Sequence, residues 1–125
     1  MSAVTGSLSI KTDTTFYTVH FPTHGWMAAD MVQNLDRVYA AEEPRIGILK
    51  LLGYTLEMNS QAPPRVVDHW VEIDMDTKTL STNSELIRKA VKREQLADNE
   101  PYMELSLRNV YRTLDSLDFS VRLYS

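Results

Sequence analysis

No cysteine occurs among the 125 residues, which removes disulfides, thiolate zinc sites and a cysteine nucleophile at once. A reducing compartment, the cytoplasm, is the expected location. Glycine is scarce, with only four, and the chain contains no Gly-rich phosphate loop, dinucleotide fingerprint, nucleophile elbow or His-Glu-x-x-His. No run approaches the roughly 18 to 20 apolar residues of a membrane helix. The first seven residues, Met1 to Ser7, lack the basic and apolar segments of a standard secretion signal. The expectation is a soluble protein with no membrane partner, whose residues 1–6 form a flexible N-terminus. Positive charge is in deficit: 13 Lys and Arg against 17 Asp and Glu leave a net charge of -4 and a pI near 5.3. That balance makes nucleic acid an unfavoured partner, yet it is too mild for a decoy imitating the phosphates of DNA.

What is present fits one domain. A chain of this length buries roughly two thirds of the surface that its unfolded form exposes, so a core needs no staples. The most informative stretch is Trp70-Val71-Glu72-Ile73-Asp74-Met75-Asp76, which has the period of a strand. Val71, Ile73 and Met75 face one way, and Trp70, Glu72, Asp74 and Asp76 the other. Upstream, residues 8–21 read as a hairpin turning at Asp13-Thr14-Thr15. Pro22 to Gly25 breaks it, with Thr23 a candidate helix cap. Met27, Met31, Leu35, Val38 and Tyr39 recur at three and four, predicting a helix over 25–42.

Pro44 and Gly53 bracket a short helix, for which a buried strand over 45–52 is the rival. Tyr54, Leu56 and Met58 alternate as a strand, and residues 59–64 form a loop. Residues 79–81 pair back on the acidic-faced strand. Thr82 and Glu85 offer a capping box for a helix to about Leu96. Pro101 opens a last helix bearing Met103, Leu107, Val110, Tyr111, Leu114 and Leu117, and residues 119–123 close the chain as a strand. Paired strands without regular βαβ alternation predict a single compact α+β domain, residues 1–125, with a mainly antiparallel sheet packed by three to four helices.

Glu72, Asp74 and Asp76 supply the hard oxygen ligands that Mg2+ or Mn2+ prefers. The exposed face of an antiparallel strand is, however, ordinarily polar, so no cofactor is expected. Asp74, Asp76 and Glu85 also sit at positions 1, 3 and 12 of a calcium loop. Lys78 and Thr79 stand where a ligand and a glycine are needed, and that reading is rejected. His20, His24 and His69 could converge on zinc or iron, although Pro22 and Gly25 separate the first two. His69 shares the parity of Val71 and Ile73, which makes it a packed core histidine or else a catalytic general base paired with Asp13 or Glu57.

Arg88, Lys89, Lys92 and Arg93 form a basic stripe within an acidic chain, and Tyr102, Tyr111 and Tyr124 add side chains enriched at interfaces. Arg88, Lys89, Lys92, Arg93 and Tyr102 are the candidate partner-binding residues. The leading functional expectation is a non-enzymatic interaction module, a small adaptor, regulator or inhibitor that docks on another protein and can form a homodimer. The alternative is a small enzyme or ligand-binding domain with a pocket between sheet and helices, possible cation dependence included.

Overall fold

The computed structural model describes residues 4–53, 56–92 and 101–125, of which residues 101–106 by their backbone. Alternating patterns yield strands β1 (Gly6–Thr12), β2 (Thr15–Phe21), β3 (Glu57–Asn59), β4 (His69–Asp74), β5 (Thr79–Thr82) and β6 (Ser120–Leu123). They form one six-stranded sheet in the order β3-β2-β1-β4-β5-β6. The fold is a small α+β domain whose sheet is mixed. Three pairings are antiparallel, as expected, but β1 runs parallel to β4 and β5 parallel to β6. The parallel pairs arise because strand neighbours come from distant segments, which hairpin logic alone does not supply.

One face of the sheet carries the core. Leu8 and Ile10 of β1, Val19 of β2, Val71 and Ile73 of β4 and Leu80 of β5 are buried there under the helices. The helical layer comprises α1 (Met27–Asp30), a 3-10 turn (Met31–Asn34), α2 (Leu35–Ala40), α3 (Pro44–Leu52), α4 (Glu85–Lys92) and α5 (Pro101–Ser116). The single helix predicted over 25–42 is therefore broken in the middle. A 3-10 turn advances the buried stripe relative to a 3.6-residue repeat, so Ala28, Ala29, Val32, Leu35 and Val38 are buried while Met27 is 40% exposed. The break is held from outside, because the Thr113 hydroxyl of α5 donates to the Gln33 carbonyl at 2.9 Å. Thr23 caps nothing, as α1 starts at Met27 without a side-chain cap.

The proline-to-glycine bracket around α3 holds: Pro44 occupies its first turn, and Gly53 ends it at φ 79°. At the start of α4 the cap is Ser84 rather than Thr82. The Ser84 hydroxyl accepts from Ile87 N–H, while Thr82, still in β5, gives its hydroxyl to the Trp70 carbonyl at 2.7 Å. Tyr54, Arg93 and the expected end of the α4 helix near Leu96 lie outside the described residues. The N-terminus is tethered from Val4 onward, since Val4 O accepts from Gly25 N–H at 2.9 Å and Thr5 N–H donates to Asp68.

The segment joining β3 to β4 sets up the other face. Both strands run parallel to β1, with β2 and β1 lying between them. Residues 60–68 must therefore cross about three strand spacings, roughly 14 Å, while returning the length of the sheet. They do so as a diagonal strap over the face opposite the helices, where Ala62 borders the same groove as Lys11 and Phe16 and Arg65 reaches Glu72.

Candidate functional site

The polar face is built by alternation. Ser9, Glu72, Ser81 and Arg122 align across β1, β4, β5 and β6, with Lys11, Asp74, Thr79 and Ser120 as the next row. Ser7, Ser9 and Thr18 are buried there, and the Thr18 hydroxyl donates to that of Ser9 at 3.3 Å. Arg65 pins the strap to this floor. Its Nε and one terminal nitrogen donate to the two Glu72 oxygens at 2.7 and 3.0 Å, and its guanidinium lies 4.1 Å from the Trp70 ring centroid and 4.7 Å from that of Tyr124. Hydrogen bonding to Glu72 raises the Arg65 pKa above its ordinary value despite partial burial, with Tyr124 contributing further. Trp70 keeps the polar-side parity expected of it but is only 6% exposed, because Arg65 and Tyr124 cover it.

The strap is fastened again at its end. Asp68 accepts from the backbone N–H and the hydroxyl of Thr5, and these bonds lower its carboxyl pKa. Asn83 ties the same corner by donating to the Asp68 carbonyl and accepting from Trp70 N–H.

The three carboxylates considered for a metal are dispersed. Glu72 is held by Arg65. Asp74 accepts from the N–H groups of Asp76 and Thr77 with one oxygen, forming a turn of the kind Asp side chains favour, and meets Lys11 Nζ at 3.5 Å with the other. Partial burial opposes ionisation of Asp74, but the Thr77 and Asp76 N–H groups and the Lys11 ammonium outweigh it and lower the carboxyl pKa. Asp76 lies beyond the end of β4, exposed in the turn. Among the described residues no group of three His, Asp or Glu side chains is arranged to hold a metal ion.

The histidines do not converge. His20 projects on the polar face and approaches Glu57 at 3.5 Å, while His24 bonds to Thr23 in a left-handed backbone position. His69 starts β4 on the helical face opposite Gly6. Neither expected acid serves it: Asp13 follows β1 at the far end of that strand, and Glu57 is turned to His20 on the other face.

Tyr39 extends from α2 to the sheet end, where its hydroxyl donates to the Met75 carbonyl at 3.0 Å. Burial, reinforced by the negative charges of Asp76 and Asp74, pushes its pKa up to about 12.

Of the basic stripe, Arg88 approaches Glu85 at 3.5 Å and reaches the Tyr124 carbonyl, so it is engaged within the chain. Lys89 and Lys92 are exposed. Arg93 and the side chain of Tyr102 lie outside the described residues.

Among the described residues, Leu8, Ile10, Val71, Ile73 and Leu80 of the sheet pack in the core with Val32, Leu35, Ile48 and Ile87 of the helical layer. On the polar face, grooves of about 470 and 280 Å3 flank the strap and share Ala62. A third groove, of about 570 Å3, runs between α3 and the edge strand β3, lined by Ile46, Leu49, Lys50, Gly53, Leu56 and Met58. Ile46, Leu49 and Met58 are 40, 41 and 49% exposed there, and all three residues of β3 are exposed. Sequence reasoning missed this edge, although a signal was present. Residues 44–52 hold five aliphatic side chains, more than one buried helical stripe uses. Arg65 was missed because its partners are 5, 7 and 59 positions away.

Against known proteins, the chain matches no family model, and neither the curated proteins nor the solved structures contain a significant match. Among the described residues no helix is long and apolar enough to cross a membrane.

Proposed function

We propose that this chain is a non-enzymatic interaction module, an adaptor, regulator or inhibitor that acts by docking a folded surface on a polypeptide partner. The observation that carries this reading is the β3 edge, where a strand with one neighbour among the described residues borders exposed Ile46, Leu49 and Met58. Unpaired strand edges recruit further strands, and adjacent apolar side chains supply the driving force. Exposed Lys89 and Lys92 on α4 offer a second, polar contact. The ionisable groups best placed for chemistry are already committed, Glu72 to Arg65 and Asp74 to Lys11 and its turn. The absence of cysteine suits work in the cytoplasm.

The test is affinity capture with the intact chain and with Leu49→Lys as paired baits, followed by Lys89→Glu with Lys92→Glu. Stoichiometric binding of a polypeptide that Leu49→Lys abolishes supports docking at the edge. Binding indifferent to all these changes refutes it. A second reading, a small polar ligand in the hydroxyl-lined groove beside the strap, draws on Ser9, Thr79 and Ser81 around Lys11 and Arg122. It includes the divalent-cation version, and a cation-dependent melting shift lost in Asp74→Asn would favour that version.

A further inference from the structure

We propose that the seam between α2 and α3 binds a small organic anion, a carboxylate head on an apolar body. The site is separate from the β3 edge, except that Lys50 borders both clefts.

The cleft follows from side-chain size. Residues 41–43 alone join α2 to α3, and Gly47 brings the helices so close that an added Cβ would lie 2.8 Å from Val38 Cα. Ala40, Ala41 and Gly47 make a low floor, while the longer side chains of Met31, Arg37, Lys50 and Leu51 stand around it and enclose about 600 Å3. That volume falls within the range of small-ligand sites. Arg37 lies one turn from Ala41 on α2, and Lys50 one turn from Gly47 on α3, so both cations are carried on the rows that meet at the seam.

Charge selects the ligand. Among the described residues neither Arg37 nor Lys50 has an ion-pair or hydrogen-bond partner, and no described carboxylate lines the cleft. On the polar face of the sheet, by contrast, Lys11 and Arg65 are met by Asp74 and Glu72. The other charges of this stretch are Asp30, Asp36, Glu42, Glu43 and Arg45, and none of them lines the seam. Asp36 projects about 100° round α2 from Arg37. Glu42, Glu43 and Arg45 are exposed at the turn into α3, where solvent screens them. These carboxylates reduce the positive potential of the cleft, whose own lining sets the sign.

The walls select the body. Met31 and Leu51 are half-buried against the core, and the stems of Arg37 and Lys50 add hydrocarbon beneath their charges. The Asn34 side chain, which makes no cap bond to α2, offers a further donor. A bare inorganic ion would leave the apolar walls uncovered, and a neutral hydrocarbon would leave two cations unmatched. A carboxylate suits the planar fork of Arg37, with the Lys50 ammonium as a second point of attraction.

Titration of the intact, 15N-labelled protein with octanoate, read through backbone amide shifts, tests this, with acetate and octylammonium as matched probes. Octanoate should shift amides along the seam and saturate with a Kd on the order of 1 mM, with acetate about tenfold weaker or more. Octylammonium should not bind there. Arg37→Gln and Lys50→Gln should each weaken octanoate about fivefold and, being changes at exposed positions, leave the melting temperature as it is. Arg37→Gln is decisive, since Arg37 lines this cleft and not the one at the β3 edge. Absence of a saturable shift at the seam, octylammonium or acetate equalling octanoate, or an octanoate affinity unchanged in Arg37→Gln would overturn the proposal.

Discussion

Replacing Gly47 by alanine sets two effects of known sign against each other. In a helix interior the change ordinarily stabilises by about 0.8 to 1.0 kcal/mol through backbone propensity. Gly47, however, is buried where α3 crosses α2, and a Cβ there would lie 2.8 Å from Val38 Cα, 2.9 Å from Val38 O and 3.1 Å from Ala41 Cβ. Two of those neighbours are backbone atoms that no rotamer change can move. Restoring ordinary carbon contacts of about 3.5 Å or more requires α3 to retreat by roughly 0.7 Å, which loosens Ile48 and Leu52 in the core. Overpacking of this kind costs about 1 to 3 kcal/mol, so the net expectation is a loss of about 1 kcal/mol, and up to 2. At this chain length that corresponds to a melting decrease of about 4 to 8 °C. Urea unfolding followed by circular dichroism should show a lower midpoint with an unchanged slope. Gly53→Ala is the control, since its cost comes from the left-handed φ of 79°, with nothing among the described residues within 4 Å of the added carbon. A Gly47→Ala variant as stable as the parent would refute the close α2-α3 contact, and with it the placement of Ile46 and Leu49 at the sheet edge.

Removing the Arg65 side chain should cost about 1 to 2 kcal/mol, a charge-assisted pair and two ring contacts discounted for an Arg side chain that is 40% exposed. A double-mutant cycle with Glu72→Gln should return a coupling of about 0.5 to 1 kcal/mol; zero coupling would mean that the strap is held by something else. The stability profile should bend at both extremes of pH. The lowered pKa of Asp74 stabilises the fold above the ordinary carboxylate range, and that contribution is lost as pH falls through its folded value, so Asp74→Asn should flatten the acid limb. Tyr39 has the opposite sense. Its raised pKa of about 12 stabilises the fold below the ordinary tyrosine value near 10, and the effect fades between the two; absorbance titration of phenolate in the parent and in Tyr39→Phe checks it.

Much of the fold was legible because local chemistry dictated it. Alternation marked β1, β2 and β4, the Pro44-Gly53 bracket marked α3, and the spacing of Leu107, Val110 and Leu114 marked the buried face of α5. What escaped depended on partners distant in sequence. The 3-10 break is held by Thr113, 80 positions from Gln33, and α4 is capped at Ser84 because Thr82 is taken by the Trp70 carbonyl. The acidic face was read correctly as to parity for Glu72 and Asp74. Their roles were hidden, since Lys11 is 63 positions from Asp74 and Arg65 sits in a proline-containing loop with no periodicity.

The parallel junction of β1 with β4 divides the chain into two stretches of similar plan, each a hairpin followed by helices and a returning strand. Each hairpin closes over a few residues and can form early, whereas the central junction joins segments 63 positions apart. That is the longest interval closed by any strand pairing of the sheet, ahead of those that join β2 to β3 and β5 to β6, and the entropy of closing an interval rises with its length. Of the strand pairings, the one that joins the two halves at the middle of the sheet is therefore the least local, and substitutions that weaken it are expected to slow folding more than those that weaken either hairpin.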